Sequence, residues 1–180
     1  LGVADEGWIK AVTAQLDAFQ HTSNLYYAAP VAQLAEELCH RTGMKKVFFS
    51  NSGAEANECA IKVARKYGED HYGPERTTII TLKNSFHGRT LATLAATGQD
   101  VFHQHFLPVT PGFRYAEANQ LADVKALAAD GKVAGILMEM VQGEGGVMPL
   151  EKDFVQGVAE FCQQQDILLM CDEIQCGNGR

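Results

Sequence analysis

Residues 166–175 read DILLMCDEIQ, and the five apolar residues from Ile167 to Cys171 deliver an acidic pair, Asp172 and Glu173, to the end of the run. An unbroken apolar run of this length, bounded by polar residues, suits a strand buried on both faces. The stretch VAGILMEM, residues 133–140, has the same character and carries an acid, Glu139, near its end. Between the two runs Phe154, Val158, Phe161 and Cys162 recur at helical spacing. Strands without apolar–polar alternation, joined through a helix, indicate a parallel sheet covered on both faces, and so an α/β fold.

The same grammar extends upstream. RTTIITL, residues 76–82, is a β-branched strand, followed by the loop KNSFHGRT and a small-residue helix over Leu91 to Ala96. An irregular stretch with Pro108, Pro111 and Gly112 leads to a helix around Leu121 to Ala129. In KKVFFSNSG, residues 45–53, a short strand from Val47 to Phe49 precedes a turn and a helix, whose inward face is read as Ala56, Cys59, Ala60, Val63, Ala64 and Tyr67. Glu58 and Lys62 form an i,i+4 pair on the opposite side. Further upstream, Val31, Leu34, Ala35, Leu38 and Cys39 mark a helix begun by Pro30 and stopped by Gly43, and Ile9, Val12, Leu16 and Phe19 mark another. Internal repeats and low-complexity tracts are absent.

With 180 residues, 46% of them hydrophobic, the chain can build one ordinary core and reads as soluble and globular. A net charge of -7, with scattered basic residues, argues against nucleic acid or an anionic membrane as a partner. No apolar stretch approaches the roughly 20 residues of a membrane span. Five cysteines, Cys39, Cys59, Cys162, Cys171 and Cys176, form no C-x-x-C pair and mostly sit in apolar patterns, which fits a reducing, cytoplasmic compartment. The chain starts without methionine and stops inside a motif, which points to a fragment of a longer protein.

Ligands of open α/β sheets collect at the carboxyl ends of strands, where four polar clusters stand: SNSGAE, NSFHGR, EMVQGEGG and DEIQCGNGR. In the first, the amides of Gly53, Ala54 and Glu55 at a helix start can hold a phosphate, although Ser52 and Glu55 also have the spacing of a plain capping box. In the second, Phe86 can stack on a flat heteroaromatic ligand and Arg89 can pair with a carboxylate, while His87 is a general base or a hydrogen-bonded structural histidine. The third holds Glu139 and Glu144 beside a glycine-rich turn whose spacing is not that of a dinucleotide-binding loop. In the fourth, a buried Asp172 needs a cationic or proton-donating partner: a protein arginine, a protonated ring nitrogen of a cofactor, or a metal. Metal is the weakest option, since His103 and His105 lack further ligands at useful spacing.

Taken in order, FFSNSGAEANECAIKVARKY, NSFHGRT, EMVQGEGG and LLMCDEIQCGNGR closely resemble the class III pyridoxal-phosphate aminotransferases of the fold-type I superfamily. HTSNLYY, residues 21–27, looks most like the acetylornithine and succinylornithine branch. The resemblance implies residues 1–30 leading into a large domain and residues 31–180 forming part of it. It implies pyridoxal 5'-phosphate as cofactor, with Ser52, Gly53 and Ala54 on its phosphate, Phe86 on its ring, and Asp172 to Gln175 around it, namely Asp172 at the ring nitrogen, Glu173, Ile174, and Gln175 at the phenolic oxygen. Arg89 would bind a substrate carboxylate, Glu144 would pair with a gating arginine, and Glu139 would support the site from behind. Met140 and Cys176 depart from the family's usual Pro and Thr, at positions without an assigned polar contact.

The resemblance places the Schiff-base lysine beyond residue 180, so the 180 residues alone are expected not to transaminate. For the parent protein it implies a cytoplasmic homodimer that moves the terminal amino group of N2-acetylornithine to 2-oxoglutarate by ping-pong chemistry, in arginine biosynthesis. Succinylornithine, ornithine and 4-aminobutyrate are alternative donors. A non-catalytic cofactor-binding or dimerisation fragment, and a nucleotide-binding domain, are the readings from other classes.

Overall fold

The computed structural model describes residues 2–23 and 25–177. Asn24, inside HTSNLYY, and residues 178–180, the end of the fourth polar cluster, lie outside the described residues. Among the described residues seven helices and six strands follow in the order α1 (Glu6–Ala18), α2 (Ala29–Thr42), α3 (Gly53–Tyr72), β1 (Thr78–Leu82), α4 (Leu91–Ala96), α5 (Asp100–His103), β2 (Phe113–Ala116), α6 (Leu121–Leu127), β3 (Val133–Glu139), β4 (Val141–Gln142), β5 (Met148–Pro149), α7 (Lys152–Gln165) and β6 (Leu168–Asp172). The chain divides into two compact units, Leu1–Phe49 and Ser50–Arg180.

In the first unit, α1 opens on Asp5, whose side chain accepts from the Trp8 amide, and α2 carries Pro30 in its first turn and ends on the left-handed Gly43. Both helices stand where the sequence predicts them, yet neither buries a residue. The expected strand from Val47 to Phe49 is not one. Extended backbone becomes a strand only when a neighbour completes the ladder, and no described strand pairs with this segment, in which Phe48 is 71% exposed.

The second unit is built on a four-stranded sheet of order β2-β1-β3-β6, parallel throughout. Strand β2 is a surprise, since Pro111 and Gly112 precede it and FRYA offers no apolar run. It lies at the sheet edge, where Arg114 can reach out to Asp130 at 2.6 Å. One face of the sheet packs on α6 and α7 through Ile80, Val124, Ile136, Met138, Phe154, Val158 and Cys162. The other packs on α3 through Ile61, Ala64, Ile79, Ala134 and Leu137. Phe161, expected inside, packs half-buried against the first of these cores.

Of the face read from the sequence, Ala56, Cys59, Ala60, Val63, Ala64 and Tyr67, only Ala64 is fully buried; helix α3 buries it with Asn57, Ile61 and Gly68. Val63 is 57% exposed. The stripe at i, i+4, i+7, i+11 escaped notice because its two ends are a polar residue and a glycine, each there for a reason apolar periodicity cannot reveal. Gly68 lies over the strand starts, where an added Cβ would stand 2.0 Å from the Arg76 carbonyl oxygen and 2.9 Å from the Ala134 Cβ. Asn57 lies at the opposite, carboxyl end, on Asp172. The helix therefore runs antiparallel to the strands and starts beside their carboxyl ends.

A second set of contacts closes the far pole. Asp166, left-handed at the C-cap of α7, accepts hydrogen bonds from the hydroxyls of Tyr67, at 2.9 Å, and Tyr72. Arg76 stacks 3.8 Å over the Tyr72 ring and donates to the carbonyls of Val133 and Asp166. Because the obstacle at Gly68 is backbone, Gly68→Ala in the full-length protein is expected to lower unfolding free energy by about 3 kcal/mol. Gly131→Ala, at φ +73° with open space around it, is expected to cost about 1 kcal/mol. Urea unfolding of the two variants checks the contrast.

Candidate active site

Side chains along a strand alternate between faces, so Leu168 and Met170, which pack toward α3, carry Asp172 to the same side. Glu139 and Asp172 are register partners at the ends of β3 and β6, which sets two carboxylates side by side over the start of α3. Each is almost wholly buried, and each is satisfied differently.

Asp172 accepts at Oδ2 from the Asn57 amide at 2.7 Å and meets His87 Nδ1 at 2.8 Å, while Oδ1 accepts from the Ile174 amide at 3.0 Å. An ionised carboxylate offers no proton, so His87 Nδ1 carries it and donates. Burial pushes the Asp172 carboxyl up, but the hydrogen bonds from His87 and Asn57 and the charge interaction with His87 outweigh it and hold the group below its ordinary range. Of the partners weighed for Asp172, a protein arginine is not the one present; a histidine and an amide stand there. Glu139 accepts from the Phe86 amide at 2.9 Å and the Gly143 amide at 3.2 Å. Its carboxyl is raised, first by burial.

These bonds belong to a larger set that fixes the loop of residues 83–90. Gln142 donates to the Lys83 carbonyl, Gln99 to the Ser85 carbonyl, the His87 amide to Thr97 Oγ1, and Asn57 to the His87 carbonyl. With its backbone pinned at successive residues, the loop holds Phe86, whose ring meets Phe102 edge-on at 5.4 Å. Arg89 is exposed, with its guanidinium carbon 5.7 Å from the centre of the Phe86 ring. It has no ion-pair partner among the described residues.

At the start of α3 Ser52 caps the helix, accepting from the Glu55 amide at 3.2 Å, and Glu55 reaches back to the Asn51 amide at 2.7 Å. Ser52 therefore caps the helix, but Glu55 bonds the Asn51 amide and not that of Ser52, so the capping box is half formed, and it engages neither of the first two amides, those of Gly53 and Ala54, which a helix leaves free. The Cβ that Gly53 lacks would lie 2.8 Å from the Ile174 side chain, so the glycine allows the 172–175 turn to pack closely on this helix start.

Gly53, Ala54, Asn57, Phe86, His87, Arg89, Asp172, Ile174 and Gln175 line one cavity of about 330 Å³, a volume within the range of small-molecule sites. Of the residues singled out in the sequence, Ser52 caps the helix and is not part of the lining, Glu139 lies behind the Phe86 amide, and Glu173 and Glu144 are exposed and outside the lining. Asn57 and the link between His87 and Asp172 were not foreseen. Among the described residues no three metal-ligating side chains gather, and no helix is long and apolar enough to cross a membrane.

Residues 1–180 match the family model for class-III aminotransferases. The chain belongs to that family. An acetylornithine aminotransferase of Haemophilus ducreyi is 57% identical over all of this chain and 46% of its own length. A succinylornithine transaminase of Salmonella heidelberg is 46% identical over all of this chain and 44% of its own. The crystal structure of an amine transaminase from an uncultivated Pseudomonas species, in its PLP-bound form, superposes with a TM-score of 0.90 at 28% identity, covering 99% of this chain and 46% of that one. The class-III aminotransferase chain described here thus spans less than half the length of the relatives it matches.

The lowered Asp172 carboxyl makes a signed prediction. Removing it by Asp172→Ala strands the donors of His87 and Asn57 and is expected to cost the cofactor-free full-length protein about 3 kcal/mol at pH 7. A group depressed in the folded state stabilises above its unfolded value, near 4, and that stability is lost as pH falls through the lower folded value. The gap between native protein and variant, followed by urea midpoints from pH 7 to pH 3, should shrink toward acid.

Proposed function

We propose that the full-length protein is an aminotransferase that moves the terminal amino group of N2-acetylornithine to 2-oxoglutarate, using pyridoxal 5'-phosphate. The observation that carries this reading is one cavity in which free helix amides, an aromatic face and a buried ionised carboxylate stand together. Helix amides and dipole attract a phosphate, the Phe86 ring offers a face to a pyridine, and Asp172 offers a fixed negative acceptor to a protonated ring nitrogen. When bound, the cofactor supplies an electron sink for the carbanion formed at the substrate.

The chain's own contributions are orientation and charge. Gly53 and Ala54 would hold the phosphate, with Ser52 at its edge; Asp172 would keep the ring nitrogen protonated; Gln175 would donate to the phenolic oxygen. Glu173 and Ile174 belong to the turn that closes on the site. Arg89, exposed and unpaired among the described residues, would take a substrate carboxylate with its planar fork, and Glu144, exposed on its turn, would pair with an arginine from another segment. Glu139 would hold the Phe86 platform. In this reading residues 31–180 are part of a cofactor-binding large domain that residues 1–30 lead into, and the resemblance supports a cytoplasmic homodimer. Succinylornithine is the second donor considered, supported by the relative of that name.

The test is steady-state kinetics of the full-length protein. N2-acetylornithine is expected to outperform succinylornithine, ornithine and 4-aminobutyrate in kcat/KM, and a reversed order would defeat the donor assignment. Arg89→Ala is expected to raise KM for 2-oxoglutarate about tenfold or more.

A further inference from the structure

We infer that Asn57 is a positioning residue for the cofactor site, acting through Asp172; the inference rests on the pyridoxal phosphate reading above. Asn57 is 4% exposed and is the one polar member of the buried stripe of α3. A buried primary amide destabilises unless its groups are bonded, and here both amide hydrogens are used on other segments. One goes to Asp172 Oδ2 at 2.7 Å, at the end of β6, and the other to the His87 carbonyl at 2.9 Å, in the loop that presents Phe86.

Asn57 stands one turn along the same helix from Gly53 and Ala54. One side chain therefore ties together the helix start, the carboxylate and the aromatic platform, which are the three elements that would grip phosphate, ring nitrogen and ring face. The tie also fixes the carboxylate's state. Asp172 Oδ2 takes two donors and Oδ1 takes the Ile174 amide, so the group is held charged and unable to turn. A hydrophobic residue would fill the space without supplying either bond, and an aspartate would set like charge against Asp172. No larger role in packing calls for an amide at this place.

The experiment is a double-mutant cycle in the full-length protein, read as pyridoxal phosphate affinity by absorbance titration, with the cofactor-free melting temperature measured alongside. Asn57→Ser is expected to weaken binding tenfold or more when Asp172 is present and less than twofold in an Asp172→Ala background. Asn57→Asp, which keeps the volume, removes the donors and adds a repelling charge, is expected to weaken binding at least as much. Equal losses in both backgrounds, no loss with Asp172 present, or failure of both Asn57 variants to fold would each overturn the inference and leave Asn57 a packing residue. No saturable binding by the unaltered protein, or undiminished binding by Asp172→Ala, would instead overturn the cofactor reading, and this inference with it.

Discussion

A carboxylate taken out of water at the end of a buried strand must be compensated where it lies, and the architecture of the second unit turns on how Asp172 is. Three donors from three directions converge on it: a helix side chain, a loop imidazole and a backbone amide of its own turn. Each brings a different segment to the same point. Without the charge there would be no reason for α3 to present an amide, or for the 83–90 loop to turn a histidine inward.

Glu139 repeats the principle one strand over. It accepts from Phe86, the residue next to the histidine that Asp172 engages, and from Gly143 on the following turn. The loop between β1 and α4 therefore hangs from two neighbouring acids by adjacent residues. The two differ in character, because Asp172 receives side-chain hydrogen bonds from His87 and Asn57 whereas Glu139 receives hydrogen bonds from backbone amides alone. The first is held charged, and burial pushes the second toward its neutral form. Environment, more than residue type, divides two acids of equal formal charge into an electrostatic anchor and a backbone fastener.

Much of this was legible in advance because apolar runs and helix caps are local signals. DILLMCD and VAGILMEM declare a parallel sheet, Ser52 with Glu55 declares a helix start, and three of the four polar clusters at strand ends line the cavity. What escaped depends on long-range partners. Val47 to Phe49 has the composition of a strand but no described neighbour, and FRYA has a neighbour without the composition. Asn57 looks like an ordinary polar residue on a helix surface, because its reason for facing inward lies 115 residues away. His87 could be read as structural, but which group it served could not.

Helix α3 is fastened to the segment around β6 at both extremities. Near its start the Asn57 amide meets Asp172, where β6 ends; near its finish Tyr67 and Tyr72 meet Asp166, just ahead of where β6 begins. Between these ties Gly68 and Ala64 bring the helix so close to the strands that no slack remains. Such a beam, tied at both ends, resists sliding and rolling, so the spacing between the amides at its tip and the acid below them is held by hydrogen bonds and packing. The floor of the cavity, from the helix tip to Asp172, is the part these ties hold, whereas Arg89 stands exposed at its margin.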